Sequence, residues 1–438
     1  MSRGKVDIGL GLQYGDEGKG KMIDFLATSE SSSYGVVARF QGGPNAGHTL
    51  YRGGKKIVLH HPPSGILDDR LALCGAGMVI NPIIIMQELI GLIEHGIDAK
   101  VNLRIAKEAH LILPTHRMMD AANERLLGTG KIGTTLHGIG PTYEDKAGRR
   151  GIPIGNIFDD DFEDQYDALT NRHRLFFTAM GFIPEHDIEN YASMGTKAEF
   201  LAAVQSLREF TFVHCEGFMN KVLDRGMNVL AEGAQGALLD KDLGSYPCVT
   251  SSNTTTSGVL NGLCISHQDI GEVFGITKAY CTRVGSGSFW TELATSDARE
   301  RHISIEGAEK GATTGRPRRI GWLDLPALKY ACLINGVTQI ILTKGDVLQL
   351  IPKGYISVAV AYFKEGDSSQ SYDFPLGMET EYAPVYEQFP IWDKTTRENL
   401  NFNAYVKYIE TYLGIPVTLI SNGPNKNQVI DYRERIEA

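Results

Sequence analysis

Apolar positions along the 438-residue chain fall into short unbroken runs, and these alternate with longer stretches of helical spacing. The runs Val6–Leu12, Gly35–Phe40, Asn228–Glu232, Val273–Tyr280, Thr338–Thr343, Ile356–Phe363 and Val417–Ser421 are aliphatic and too short for helices. They predict strands buried on both faces. Apolar residues recurring every three or four positions predict helices over Ile83–His95, Met118–Leu127, Lys197–Arg225 and Leu325–Asn335. Strands interleaved with helices predict an α/β fold: a large, mostly parallel central sheet flanked by helices, with ligands at the carboxyl ends of its strands. No internal repeat, low-complexity block or Pro/Ser-rich linker interrupts the pattern, and the acidic run Asp159–Asp164 reads as a solvated helix start. Residues 1–438 are therefore expected to form one elaborated domain.

Composition narrows the function. A formal net charge of -9 argues against a surface built mainly for polyanions, although basic clusters exist locally. Cys74, Cys215, Cys248, Cys264, Cys281 and Cys332 are scattered, with no C-x-x-C pair. That spacing suits a reducing compartment rather than a disulfide framework or a zinc site. The N-terminus has no signal-type apolar core, and no run approaches the ~18 apolar residues of a membrane span. A soluble, cytoplasmic protein is expected.

The chemistry begins directly after the first apolar run. Gly15-Asp16-Glu17-Gly18-Lys19-Gly20-Lys21 spells G-x-x-x-x-G-K, the pattern of a phosphate-cradling loop, which gives a P-loop-like architecture with insertions. Glycine-rich turns also close ordinary strand-to-helix corners, so the pattern alone leaves both readings open. Two features are unusual. Met22 stands where a Ser or Thr would hold Mg²⁺, and Asp16 and Glu17 lie inside the loop. Acids beside a bound triphosphate are repelled unless a metal separates them or one has chemical work. Far downstream, the run Gln339–Leu342 ends in Thr343-Lys344-Gly345-Asp346. A carboxylate fixed there accepts from the ring N–H and the exocyclic amine of guanine together, a donor pair that adenine lacks. The Lys344 stem is expected to cover the base and its head to tie down the phosphate loop. A strand followed by a glycine turn is the alternative.

Other polar loops also follow the apolar runs. In Gln41–Thr49 the glycines let backbone approach a ligand, and Asn45 and His48 project from a rigid turn. His48 there suits a general acid or transition-state donor, or merely caps its own turn. Lys131–Thr135 and Gly138–Pro141 frame a second loop, with hydroxyls fit for a nucleotide monophosphate, followed by Arg149-Arg150. Thr250–Thr256 is a run of short donors, and Gly311–Arg319 joins hydroxyls to three arginines, a clamp for a dicarboxylate or phosphate. Together these loops ask for two anionic nucleotides and a third, carboxylate ligand.

Nine motifs in this order resemble adenylosuccinate synthetase over nearly the whole chain: Y-G-D-E-G-K-G-K, G-G-x-N-A-G-H-T, K-I-G-T-T, G-I-G-P-x-Y-E-D-K-x-x-R-R-G, E-G-A-Q-G, V-T-S-S-N-T-T, T-R-V-G, G-A-T-T-G-R and T-K-x-D. The resemblance implies a GTP-dependent ligase of purine synthesis, converting IMP, L-aspartate and GTP to adenylosuccinate, GDP and phosphate through 6-phosphoryl-IMP. It implies that Asp16 removes the N1 proton of the hypoxanthine and, with the Gly47 carbonyl, holds Mg²⁺. His48 is then the donor to the phosphoryl group in transit, and Gln235 contacts the base edge near O6. GTP contacts are implied at Gly15, Glu17, Gly18, Lys19, Gly20, Lys21, Gly47, His48 and Thr49, with Lys344 and Asp346 reading guanine and Ser421-Asn422-Gly423 closing on its far side. IMP contacts are implied at Asp16, Lys19, Asn45, Ala46, Gly47, His48, Thr135, Gln235, Thr250, Val284 and Arg316, with Arg149 reaching across a homodimer into the partner's IMP site. Aspartate contacts are implied at Thr313, Thr314, Arg316 and Arg318.

The chain departs from that pattern at four places. Leu136 and His137 replace the usual Gly-Arg, Pro317 interrupts the arginine run, and Pro44 stands where His or Asn is more usual. The replaced arginine is expected to help bind the aspartate carboxylates. A related branch that aminates deoxyguanylate-type nucleotides carries Ser at the Asp16 position, and is the alternative reading. A regulatory GTPase would show Ser or Thr at Met22 and no arginine clamp. A non-catalytic relative would have lost Asp16 or His48.

Overall fold

A computed structural model of the protein describes residues 2–433 apart from 30–31, 53–54, 69, 129–132, 312–314, 365, 367–368 and 377–381. Ten strands form the central sheet, numbered here in chain order: β1 (Val6–Gly11), β2 (Tyr34–Arg39), β3 (Leu71–Cys74), β4 (Leu103–Ala106), β5 (Thr211–Val213), β6 (Asn228–Glu232), β7 (Ile270–Lys278), β8 (Gln339–Thr343), β9 (Val417–Ser421) and β10 (Val429–Asp431). Their spatial order is β10-β9-β8-β7-β1-β6-β2-β3-β4-β5. Every neighbouring pair is parallel except β9 with β10. The sheet is therefore the large, mostly parallel one expected. Its apolar runs are continuous because helices cover both faces: Val6, Ile8 and Leu10 of β1 are fully buried, as are Val229 and Ala231 of β6. The strand order reverses around β1, and a ligand crevice forms at such a switch point.

Two expectations about the elements are corrected. The run Ile356–Phe363 is a strand (Tyr355–Lys364), but it lies outside the central sheet. It pairs antiparallel with Tyr382–Pro390 and parallel with Leu323–Asp324. An apolar run reports burial and says nothing of which strand lies beside it. The single helix expected over Lys197–Arg225 is two helices, Lys197–Leu207 and Cys215–Asp224, separated by β5. The β-prone Thr211-Phe212-Val213 pairs with β4 and overrides the helical spacing on either side. The acidic run does open a helix, Phe162–Ala179, and unforeseen helices span Lys19–Thr28, Ile139–Ala147 and Leu400–Leu413.

Candidate active site

The loops that follow β1, β2, β6, β7 and β8 enclose a cleft of about 420 Å³ at the carboxyl edge of the sheet. Its floor is the phosphate loop. Gly15 and Gly18 adopt φ of 91° and 84°, and Asp16 between them is held at 62°. The turn delivers the chain into helix Lys19–Thr28, whose N-terminus has no side-chain cap. Uncapped N–H groups and the helix dipole there favour an anion. Gly20 has no room for a side chain larger than hydrogen without shifting its neighbour, because a Cβ would stand 3.1 Å from that of His48. Met22 is buried between helix and sheet and offers the cleft no oxygen.

Glu17 does not face the cleft. Its carboxylate is fully buried and accepts from the N–H of Gln13 (3.1 Å), the N–H of Gly15 (2.9 Å) and Lys19 Nζ (2.6 Å), so it braces the loop from behind. Thr343 Oγ1 donates to the Glu17 carbonyl at 2.7 Å and pins β8 to the same loop. The strap between the phosphate loop and the far end of the cleft is Lys21, which donates to Ser421 Oγ (2.7 Å) and to the carbonyls of Gly423 (2.7 Å) and Gln428 (2.9 Å). Burial lowers the Lys21 ammonium to about 8, against the attraction of Asp346. The head of Lys344 was expected to tie the phosphate loop and goes elsewhere, to Glu309 Oε1 (2.7 Å) and the Gly307 carbonyl (2.8 Å). Asp346, half-buried and not itself in the cleft lining, has one carboxylate oxygen buried and without a partner among the described residues. Burial pushes its carboxyl up, with Lys21 and Lys344 opposing. A buried unmet acceptor is what a ring N–H would satisfy.

Asp16, Lys19, Asn45, Ala46, Gly47, His48, Thr49, Thr135, Gln235, Thr250, Val284, Arg318 and Lys344 all line the cleft. Asp16 forms an ion pair with Arg318, Oδ2 to Nε 2.9 Å, although the N–H is not aligned for a hydrogen bond. His48 Nδ1 hydrogen-bonds the fully buried carboxylate of Glu232, which also accepts from the N–H and hydroxyl of Ser64, both at 2.7 Å. His48 Nε2 is left buried with no partner among the described residues. Burial lowers the His48 imidazole below its ordinary value, and the facing Glu232 carboxylate resists that shift. Gln235 is held at φ 58° and its Oε1 is likewise unpartnered. A side chain held left-handed costs about 1 kcal/mol or more, and such residues persist where the surroundings over-determine them. Glu232 and Glu309 escaped sequence reasoning as individual residues. Each is an ordinary acid in sequence, and only total burial marks it.

Of the remaining expected residues, Ser421, Asn422 and Gly423 do not line the cleft, and two arginines stand apart from it. Arg149 is exposed at φ 60° and does not reach this cleft. Arg316 is exposed and donates to the carbonyls of Gly133 (2.7 Å) and Thr134 (3.2 Å). Thr313 and Thr314 lie outside the described residues. Near Arg149, the Asp145 carboxylate holds His116 (3.2 Å), His173 (2.8 Å) and Arg150 (3.1 Å). His116 Nδ1 accepts from the Leu113 N–H, so its proton sits on Nε2 facing Asp145. The trio is thus a hydrogen-bonded brace and leaves no lone pair for a metal on His116.

His137 is half-buried beside Arg117, His60 and His61, and does not line the cleft. Burial lowers its imidazole, and those of His110 and His116, to about 4, while burial raises Asp324 to about 6. Between pH 6 and 4 the unfolded chain binds protons on three imidazoles that the folded chain refuses, and the folded chain binds one on Asp324. From these four groups the net of about two protons lowers stability on acidification, by about 2 kcal/mol per pH unit as an order of magnitude, and the lowered His48 and His61 imidazoles act in the same direction. Urea unfolding at pH 6 and pH 5 measures this; equal stabilities would show that these imidazoles gain partners when protonated.

A family profile described as adenylosuccinate synthetase matches residues 8–430. The chain is 47% identical to the adenylosuccinate synthetase of Christiangramia forsetii over 434 residues, 97% of this chain and 99% of that protein. It is 45% identical to that of Flavobacterium johnsoniae over 435 residues, with 97% and 99% covered. Among solved structures, the fully ligated adenylosuccinate synthetase of Plasmodium falciparum superposes with a TM-score of 0.86 at 36% identity, covering 98% of this chain and all of that one. A cyanophage S-2L succinoaminodeoxyadenylate synthetase bound to dGMP and dATP superposes at 0.62 with 20% identity, a likeness of fold alone.

Proposed function

The chain belongs to the adenylosuccinate synthetase family, a GTP-dependent ligase joining L-aspartate to IMP, and we propose that its cleft residues divide the reaction as follows. Asp16 takes the N1 proton of IMP, and the electron pair released through the ring makes O6 the nucleophile. O6 attacks the γ-phosphorus of GTP, the bond to the β–γ bridging oxygen breaks, and GDP leaves. The aspartate amine then attacks C6 of the 6-phosphoryl-IMP, the C6–O bond breaks, and phosphate carries away the oxygen. Lys19 and the N-terminus of helix Lys19–Thr28 cradle the phosphates. His48, aimed by Glu232, donates from Nε2 to the phosphoryl group in transit.

The observation carrying this reading is the convergence of Asp16 and the uncommitted Nε2 of His48 on one uncapped helix N-terminus. Asn45 and Thr250, whose side chains meet at 3.5 Å, hold the IMP phosphate with Thr135, and Gln235 directs its unmet amide to the base edge. Asp16, whose carboxylate is 31% exposed, and the Gly47 carbonyl on the cleft wall are hard oxygen donors. They fit Mg²⁺, which shares such donors with phosphates and water and would neutralise charge on the triphosphate. Lys344 and Asp346 read guanine; Arg318, with Thr313, Thr314 and Arg316, takes the aspartate carboxylates.

Arg149, exposed and outside its own cleft, is assigned to the IMP site of a partner subunit in a homodimer. The continuous core that joins β1 to Ile356 and Trp392 supports a single domain over residues 1–438. Six free cysteines support a reducing, cytoplasmic setting, and no helix among the described residues is long and apolar enough to cross a membrane. The test is a near-ultraviolet assay with GTP, Mg²⁺ and aspartate, offering IMP or dGMP as acceptor. Turnover with IMP alone is expected. Turnover with dGMP alone would place the chain with the deoxyguanylate-type ligases despite Asp16.

A further inference from the structure

Glu309 takes no part in the reaction described above, yet it sits at the centre of a cluster of buried charge beside the cleft. Its carboxylate is fully buried. It accepts from Lys278 Nζ, 3.3 Å from each oxygen, and from the Tyr280 hydroxyl. It also accepts from two cations that line the cleft, and it divides its oxygens between them: Oε1 takes Lys344 and Oε2 takes Arg318. Burial alone would push this carboxyl up; Lys278, Lys344 and Arg318 outweigh it and hold Glu309 well below the usual carboxylate range. Lys278 is itself fully buried, lowered by burial to about 8 despite Glu309.

Such a cluster is a poor source of net stability, because desolvating the charges offsets most of their attraction. What it does supply is direction. Lys344 leaves the backbone at φ 58° and its ammonium is held by two acceptors, Glu309 and the Gly307 carbonyl. Arg318 is gripped at Nη1 by Glu309 while its Nε faces Asp16. Four donors hold the carboxylate, and Gly307 packs so closely that a Cβ there would stand 3.0 Å from Glu309 Oε1 and 2.6 Å from the Tyr280 hydroxyl. Rotating Glu309 displaces both cleft cations at once.

We infer that Glu309 is a positioning residue that aims Lys344 at the guanine end of GTP and Arg318 at the amino-acid end of the cleft, so that one buried carboxylate sets both substrate sites. The inference rests on the proposed roles of Lys344 and Arg318. It separates these two substrates from the groups expected to hold the IMP phosphate and base edge, because Asn45, Thr135, Thr250 and Gln235 take no part in this cluster, and Asp16 is tied to it only through Arg318.

Glu309→Gln keeps the shape but presents an amide N–H₂ to one of the two cations. In steady-state assays of the full-length enzyme, the KM values for GTP and aspartate are expected to rise together, by about tenfold each, the scale of one charged hydrogen bond. The KM for IMP should stay within about twofold. A double-mutant cycle sharpens the test. With Lys344→Met already present, Glu309→Gln should no longer change the KM for GTP yet still raise that for aspartate. Unchanged KM values with only a lower Tm, or an equal rise in all three, would overturn the inference. A Lys344→Met variant with a normal KM for GTP would instead remove the reading of the guanine site. Should Glu309→Gln fail to fold, Glu309→Asp keeps the charge and withdraws it by one methylene; the same paired rise is expected, and its absence is equally decisive.

Discussion

Asp16→Asn should lower kcat by about three orders of magnitude while leaving GTP and IMP bound with near-native affinity. Asparagine fills the same space and keeps the left-handed turn, since Asn tolerates φ of 62° better than most residues. What it lacks is a basic oxygen for the N1 proton. On the proposed roles, nucleotide affinity rests mainly on Lys19, the helix N-terminus and the base end, and the amide oxygen of the asparagine remains a hard donor in place of the carboxylate for Mg²⁺. The ion pair with Arg318 is lost, so the KM for aspartate is free to move. The same variant tests the dimer. Arg149→Ala should be nearly inactive if Arg149 serves the partner's site, and mixing it with Asp16→Asn should restore activity. In the mixed dimer one of the two clefts then combines an intact Asp16 with an intact Arg149. No recovery on mixing, with dimers confirmed, would confine Arg149 to its own subunit. Normal turnover by Asp16→Asn would end its assignment as the base.

The second large effect is expected at His48. Removing a preorganised donor to a transferring phosphoryl group lowers kcat by about 10²–10³. His48→Asn should show that loss with the KM for IMP and GTP little changed, because the donor acts on charge that develops only in the transition state. Glu232→Gln should share most of it. The Glu232 carboxylate accepts from His48 Nδ1 and from Ser64, and so leaves Nε2 as the face presented to the cleft. An amide there can turn an N–H toward the ring and reverse the tautomer. A Glu232→Gln enzyme as fast as the parent would mean that His48 needs no such orientation.

The loops that build the cleft were legible because glycine, hydroxyl and basic residues cannot be confused with a buried strand. Gly15–Lys21, Gln41–Thr49 and Thr343–Asp346 each follow an apolar run and each reaches the cleft or its wall. What stayed hidden is what those groups lean on. His48 meets Glu232 across 184 residues, and Thr343 meets Glu17 across 326. Periodicity measures how deep a residue lies and not what stands opposite. For that reason the sequence points Lys344 at the phosphate loop, whereas Lys21 makes the strap and Lys344 turns to Glu309. Tyr355–Lys364 failed in the same way: it is apolar enough for the central sheet, but its pairing partners lie in another one.

The order of strands also has a consequence during synthesis. β1 leaves the ribosome long before both of its neighbours, β6 and β7, which are made only from residue 228 onward. At roughly 5–20 residues per second, the nascent chain carries β1 without either neighbour for on the order of ten to forty seconds. Through that interval an aliphatic strand with two open edges is a target for wrong partners, and its natural guardians are chaperones. The segment that anchors the Lys21 strap, at Ser421–Gly423, arrives later still. A nucleotide can therefore stabilise the finished enzyme, but it cannot rescue the chain while it is being made.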